Sequence, residues 1–303
     1  MKIFISALTG LAIVAAAVLG GCSQESKSSV PEKAATTDEP ATDSKVSTTG
    51  NKIHINDSTL GQIWITELDG VPVNMLSPDG FTADNNLKYY SENGKPASLE
   101  GIDISSYSGD VDWQKVRDSG IDFVMVRIGG RGYGDSGKMY KDDRALEYIK
   151  GAQAAGIKAG GYFFSQAITT NEAIEEADYV KQLLGDTKLD FPLAYDWEII
   201  KNEEARTDKV TPAQATECAR SFCKEAAANG YTPMIYSTSR ELYFKYDLTQ
   251  LAGYDIWYCE YSNTPEFYYE FSMWQYSKTG HVDGIEGNVD LNICFTSIAD
   301  YAK

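Results

Sequence analysis

The sequence predicts an α/β protein in which strands and helices alternate and three further strands follow without helices. Strand-like runs from Gly101 onward are separated by helical stretches, several of which end in glycine, as the C-termini of helices often do. The three runs after Tyr246 are separated by gaps of about a dozen residues, too short for crossover helices. We therefore expect an irregular eight-stranded barrel of five βα units and three closing strands, with an open doubly wound sheet as the alternative.

The N-terminus has the pattern of a secretory signal, with a lysine at position 2, an apolar run and small residues before a cysteine. Residues 1–22 end in "LGGC", which resembles a bacterial lipobox and predicts that Cys22 is lipidated. An uncleaved membrane anchor is the alternative. Both interpretations place the protein outside the cytoplasm, on the membrane and facing the cell wall.

Two segments precede the alternating region. Residues 23–50 are polar and contain no aromatic residue, which predicts a disordered linker. Residues 51–100 contain short alternating runs between turn signals at Asp69, Asp79 and Asn93, which are typical of a small β-meander. This module is either a glycan- or wall-binding unit or a spacer packed on the main domain, which occupies residues 101–303.

Composition excludes several classes of function. The net charge of −17 argues against nucleic acid as a partner. With only His54 and His281, the chain offers no Ser-His-Asp triad and no zinc-binding helix, so hydrolysis would have to depend on carboxyl groups. No metal or organic cofactor is implied. Twenty tyrosines and five tryptophans fit a surface for an uncharged glycan, although such aromatic richness more often belongs to a core.

Carboxyl groups cluster at predicted strand ends. In "FPLAYDWE" the alternation places Asp196 and Glu198 on one face and Trp197, as packing, on the other. Neighbouring carboxylates raise each other's pKa, which leaves one protonated and one ionised, as acid-assisted glycoside cleavage requires. Asp103 and Asp290 end the first and last strands, which are adjacent in a closed barrel. A capping or turn-stabilising role is the alternative for each aspartate.

The motifs "GIDISSYSGDVDWQKVRDSGIDFVMVRIG", "GYFFSQA", "PLAYDWE", "MWQYS" and "GNVDLN" occur in this order. In combination they resemble the glycoside hydrolase family 25 lysozymes, the muramidases related to the Chalaropsis enzyme, over residues 101–303. The resemblance implies a TIM-like (β/α)5(β)3 barrel that cleaves the β-1,4 bond between N-acetylmuramic acid and N-acetylglucosamine. It assigns Glu198 as proton donor and Asp196 as the group that steers the substrate's N-acetyl group, with direct attack by water as the alternative. The family's four acidic positions map onto Asp103, Asp196, Glu198 and Asp290, all present.

Around these acids we expect five sugar-contacting residues: Tyr107, Tyr162, Tyr236, Trp274 and Gln275. Arg127 is expected to bind substrate by pairing with one of the acids, with a buried structural salt bridge as the alternative. Arg206, in the loop after the acidic strand, is a candidate contact for a muramyl lactyl or peptide carboxylate. Glu260 is a further acid near a strand end.

Four cysteines remain after Cys22, and their spacing fits no zinc pattern. Buried thiols are the expectation and a disulfide is the alternative for the set Cys218, Cys223, Cys259 and Cys294.

The sequence thus predicts a monomeric, membrane-tethered lysozyme (N-acetylmuramidase) that acts on peptidoglycan glycan strands. Two alternatives stay open. One is a hydrolase of another N-acetylhexosamine glycan such as chitin, and the other is a non-catalytic cell-wall-binding lipoprotein.

Overall fold

The structure, a computed structural model, describes residues 46–57, 59–201 and 203–302. The predicted signal sequence, Cys22 and most of the predicted linker lie outside these residues. The strands are β1 (Thr48–Asp57), β2 (Gly61–Leu68), β3 (Phe81–Asp84), β4 (Leu87–Glu92), β5 (Lys95–Pro96), β6 (Ser98–Ile104), β7 (Phe123–Arg131), β8 (Met139–Lys141), β9 (Lys158–Ser165), β10 (Leu193–Trp197), β11 (Pro233–Thr238), β12 (Asp255–Cys259), β13 (Met273–Gly280) and β14 (Val289–Phe295). The helices are α1 (Trp113–Asp118), α2 (Ala145–Ala154), α3 (Thr170–Leu184), α4 (Pro212–Ala228) and α5 (Ser239–Phe244).

Eight of the described strands close into a barrel in the order β6-β7-β9-β10-β11-β12-β13-β14, and β14 pairs with β6. Pairing is parallel from β6 to β13 and antiparallel on both sides of β14. The five helices connect the first six barrel strands, and β13 and β14 follow without one. The predicted barrel of five βα units and three closing strands is therefore confirmed, and the alternative of an open sheet is wrong.

Local signals explain where the longer helices begin. The Thr169 side chain accepts a hydrogen bond from the Glu172 amide at the start of α3. At the start of α4, Thr211 and Gln214 form a capping box, and Pro212 follows the cap. The sequence did not predict α5, which begins directly after β11 with no intervening loop.

Strand alternation divides the core into two layers. Inside the barrel lie Phe123, Met125, Ala194 and Met234, whereas the alternating neighbours pack outward in a larger layer that includes the helices. Trp197 is 1% exposed and belongs to the outer layer, as the sequence predicted. Asp196 follows the inward pattern of Ala194 and therefore points into the mouth of the barrel.

The N-terminal strands form two small sheets, β1-β2 and β3-β4-β5, where the sequence suggested a single meander. Asn93 and Gly94 both have positive φ in the tight turn between β4 and β5. The strands pack on the barrel: the Leu68 amide donates to the Tyr269 hydroxyl (2.8 Å) and the Lys88 amide to the Tyr276 hydroxyl (3.1 Å). The expected boundary after residue 100 falls inside β6.

The four cysteines in the described part of the chain are free and buried, which confirms the expected thiols. Burial raises the pKa of Cys218, Cys259 and Cys294 to about 12 and that of Cys223 further. Among the described helices, none has the length and apolar composition needed to cross a membrane.

Candidate active site

An acidic cleft of ≈ 230 Å³ lies at the carboxyl ends of the parallel barrel strands. The strand registers bring its acids together. Asp290 on β14 lies opposite Asp103 on β6, and Asp196, the last residue but one of β10, lies beside Tyr236 on β11. The sequence prediction that all four acids meet is confirmed. The lining residues are Asp103, Tyr162, Asp196, Glu198, Tyr236, Trp257, Tyr261, Gln275 and Asp290.

Asp196 and Glu198 form one carboxyl pair. Burial raises the pKa of both, and the charge of Glu198 raises that of Asp196 further. A hydrogen bond between the two side chains raises the pKa of Asp196 and lowers that of Glu198, which favours Asp196 as the protonated member in the free protein. The Oδ1 atom of Asp196 is buried and has no hydrogen-bond partner. The pair therefore holds a proton in the cleft and leaves an oxygen for a ligand.

Asp103 is held differently. Its Oδ2 atom accepts hydrogen bonds from Gln275 Nε2 and Asn292 Nδ2, both at 2.8 Å. These amides are fixed in turn, since Trp257 Nε1 donates to Asn292 Oδ1 (2.8 Å) and the Tyr236 hydroxyl donates to Gln275 Oε1 (3.0 Å). Burial and the charge of Asp290 raise the pKa of Asp103. Burial also raises the pKa of Asp290, and Lys278 opposes that shift.

Comparison with known proteins identifies the family. The sequence profile of the glycosyl hydrolases family 25 matches residues 102–285, more than half of the chain. The chain belongs to this family. The resemblance inferred from the motifs is thereby confirmed.

Two curated proteins and one solved structure are similar to this chain. The autolytic lysozyme of Clostridium acetobutylicum is 26% identical over 64% of this chain and 55% of its own length. Lysozyme M1 of Streptomyces globisporus is 25% identical over 65% of this chain and 67% of its own. The structure of the modular autolysin LytC from Streptococcus pneumoniae superposes with a TM-score of 0.58 at 22% identity, covering 82% of this chain and 57% of that one. The chain thus spans about half of the first curated relative and two thirds of the second.

Not every predicted contact lies in the family 25 cleft. Tyr162, Tyr236 and Gln275 line it. Trp274 does not, and its prediction as a sugar contact was wrong. Because Gln275 points inward, the adjacent Trp274 must point outward, where it is fully buried against Phe81 (ring centroids 5.7 Å apart) and donates to the Glu260 carbonyl.

Arg127 pairs with none of the four acids. Its Nε and Nη2 atoms lie 3.0 and 2.9 Å from Oδ2 of Asp142, just before α2, so the structural salt bridge is the interpretation that is confirmed. Tyr107 is 88% exposed and stacks on Arg127 with the guanidinium carbon 5.0 Å from its ring centroid, outside the cleft lining. The expected pairing of Arg127 with an acid failed because Asp142 carries no local signal for this contact.

Arg206 and Glu260 also have other partners. Arg206 donates to Glu172 Oε1 (2.5 Å) and to the Gln166 carbonyl (3.1 Å), so its guanidinium is held by the protein and does not line the cleft. Glu260 accepts a hydrogen bond from the Glu266 amide (2.8 Å) and is likewise absent from the lining.

Sequence reasoning missed Trp257, Tyr261 and Asn292. Two of them follow from alternation: Asn292 is two residues after Asp290, and Trp257 is two before the inward-facing Cys259. Tyr261 lies after β12, where no strand period applies. In the described part of the chain, no group of three or more His, Cys, Asp or Glu side chains is arranged to hold a metal ion.

Proposed function

We propose that this family 25 protein is a lysozyme that hydrolyses the β-1,4 bond between N-acetylmuramic acid and N-acetylglucosamine in peptidoglycan. The observation that carries the proposal is the proton-sharing pair of Asp196 and Glu198 in a cleft lined by Tyr162, Tyr236 and Trp257. Such a pair supplies acid catalysis, and aromatic side chains suit sugar rings. Both curated relatives described above are named lysozymes.

In this proposal Glu198 protonates the leaving oxygen. Glu198 is half-buried at the end of β10, whereas Asp196 is 5% exposed and lies deeper. A glycosidic oxygen that enters the cleft therefore meets Glu198 first. The proton passes from Asp196 to Glu198 along their hydrogen bond, which leaves Asp196 ionised and Glu198 ready to donate.

Asp196 then orients the substrate's N-acetyl group. Two carboxyl groups that share a hydrogen bond on one strand cannot flank the scissile bond from opposite faces, as a nucleophile or base and its acid partner would. The ionised Asp196 accepts the acetamide N–H, and the acetamide oxygen attacks the anomeric carbon while the bond to the leaving oxygen breaks. That oxygen takes the proton of Glu198. Water then opens the cyclic intermediate and returns a proton to Glu198, with net retention of configuration.

The proposed location is outside the cytoplasm, with lipidated Cys22 anchoring the protein to a membrane that faces the wall. The support is the lipobox-like end of residues 1–22 and the polar segment that follows, whose length suits a substrate a short distance from the membrane. A Cys22→Ala variant should leave the membrane fraction, whereas Cys218→Ala, which removes a thiol in the barrel, should stay there. A Cys22→Ala protein that remains membrane-bound would contradict the lipid anchor.

Digestion of purified peptidoglycan tests the activity. Mass spectrometry of the soluble products identifies the new reducing ends, and muramic acid ends are expected. Glucosamine ends would refute the proposed bond specificity, and cleavage of chitin at a comparable rate would favour a broader N-acetylhexosamine hydrolase. Binding to the wall without release of fragments would favour the non-catalytic alternative.

A further inference from the structure

A second cavity of ≈ 590 Å³ lies beside the acidic cleft, between the β3-β4 turn and the end of β13. We call it the basic groove. Its lining residues are Asn86, Lys88, Tyr261, Ser262, Asn263, Tyr276, Ser277, Lys278, Thr279, Gly280 and Leu291.

The charge of the groove is opposite to that of the molecule. The chain has 44 acidic and 27 basic residues, yet the lining contains Lys88 and Lys278 and no Asp or Glu. Lys88 donates to the Asn263 carbonyl (2.8 Å), and its ammonium lies 5.7 Å from the Tyr276 ring centroid. An ammonium has three donors, so Lys88 can also bind a ligand. Neither lysine forms an ion pair with a carboxylate of the described residues.

The groove is continuous with the acidic cleft. Tyr261 lines both cavities, with its hydroxyl 3.3 Å from Gln275 Oε1 on the cleft side. The ammonium of Lys278 lies 5.4 Å from the ring centroid of Tyr261. Lys278 is also close enough to Asp290 in the cleft for its charge to lower the pKa of that carboxyl group. A substituent on a sugar bound in the cleft can therefore reach the lysines.

Part of the groove comes from outside the family 25 segment. Asn86 and Lys88 precede residue 102, where the match to the family begins. Asn86 has a φ of 73° in the turn that connects β3 to β4, a left-handed conformation that asparagine tolerates. The N-terminal strands thus add a wall to the barrel mouth.

We propose that the basic groove binds the carboxylate-bearing peptide stem of the peptidoglycan strand whose sugars occupy the cleft. The choice of ligand rests on the proposed function. The two ammonium groups match the stem carboxylates. The side chains of Ser262, Asn263 and Thr279 offer hydrogen-bond donors and acceptors to a peptide backbone.

Kinetics on two substrates tests the groove. The full-length Lys88→Gln/Lys278→Gln variant is compared with Lys95→Gln/Lys150→Gln, which removes the same charge at exposed sites outside both cavities. On glycan chains that carry peptide stems, the groove variant should raise KM about tenfold with kcat nearly unchanged. On chains stripped of stems by an amidase, the KM of both variants should match that of the unmodified protein, because any effect of the lost Lys278 charge on Asp290 changes kcat equally on both substrates. Equal KM for the two variants on stem-bearing chains would overturn the assignment. The single variant Lys278→Gln, at an exposed site, repeats the test if the double variant folds poorly.

Calorimetric binding separates this inference from the proposed reaction. In a Glu198→Gln background, stem-bearing muramyl fragments should bind about tenfold more tightly than stem-free fragments, and the groove variant should abolish that preference. Equal dissociation constants in the intact groove would refute the inference, as would stronger competition by inorganic phosphate than by the free stem peptide. If the unmodified protein cleaves neither chain but keeps the preference, the proposed reaction is wrong and the groove assignment stands.

Discussion

The acidic cleft contains two carboxyl pairs that are built in different ways. Asp196 and Glu198 come from a single strand end, and their closest charged neighbours are each other. Asp103 and Asp290 come from two antiparallel strands that meet where the barrel closes. Both pairs are buried enough to raise the pKa of their carboxyl groups, so burial alone does not distinguish them.

Each pair also shares a hydrogen bond between its two carboxyl groups, so the pairs differ in the other donors around them. Asp103 is fixed by two amides, whereas Asp196 keeps a buried oxygen without a partner. An unpartnered buried oxygen lowers stability and is rare in folded proteins. Among the described residues that line the cleft, Asp196 is the one with such an atom, so we interpret this oxygen as an acceptor for substrate. The network around Asp103 indicates a group that shapes the site. The difference suggests that Asp196 and Glu198 take part in the reaction, whereas Asp103 and Asp290 position the groups around them.

The largest expected effect comes from Glu198→Gln. It removes the proposed proton donor while keeping the size of the side chain, so kcat should fall by about 10³-fold or more with wall binding retained. Release of reducing ends measures the rate, and co-sedimentation with peptidoglycan measures binding. Glu204→Gln, at an exposed position of the following loop, should leave both unchanged. Substantial turnover by Glu198→Gln would show that another group gives the proton.

Asp196→Asn should come next, with a loss of about 10²-fold to 10³-fold in kcat, because the amide cannot carry the charge that orients the acetamide. NMR of the first product of the unmodified enzyme should show retained anomeric configuration. Inversion would exclude the N-acetyl mechanism in favour of direct attack by water. De-N-acetylated glycan should be a poor substrate for the same reason.

Asp103→Asn should reduce kcat only about tenfold, because the asparagine oxygen can still accept hydrogen bonds from Gln275 and Asn292.

The same substitution should stabilise the folded protein at neutral and higher pH. The folded-state pKa of Asp103 is raised to about 8, so the stability that this group contributes is present below pH 4 and lost as pH rises toward 8. Relative to the unmodified protein, the variant should therefore gain about 3 °C in Tm between pH 4 and pH 8. Asp186→Asn is the exposed control, and a constant Tm difference would contradict the assignment.

The smallest effects are expected for substitutions of Trp257 and Trp274, and they should differ in kind. Trp257→Phe frees Asn292 and should raise KM about threefold, because Asn292 then holds Asp103 less firmly. Trp274→Phe should lower Tm without changing KM, since its ring and Nε1 pack outside the barrel. A change in KM for Trp274→Phe would restore it as a sugar contact.

Strand alternation explains how much of the site could be predicted. It correctly placed Asp103, Asp196, Glu198 and Asp290 at one mouth, because a period of two residues fixes which side chains point inward. The same rule, applied consistently, would have replaced Trp274 by Trp257.

Contacts between residues far apart in sequence could not be predicted from local sequence patterns. The pairing of Arg127 with Asp142 and of Arg206 with Glu172 depends on how helices and loops pack around the barrel. Likewise, Lys88 and Lys278 are far apart in sequence and line one groove because the N-terminal strands dock beside β13. The residue pattern of the N-terminal strands and that of β13 do not show that these two segments dock together.

The buried thiols can serve as a probe of how often the barrel unfolds. Thiolates react and thiols barely do, so Cys218, Cys223, Cys259 and Cys294 are protected twice, by burial and by their raised pKa. A thiol-specific dye should therefore label the barrel only when it opens, and the labelling rate reports how often that happens. Destabilised variants of the cleft could then be ranked by their labelling rate in dilute solution, without denaturant and without substrate.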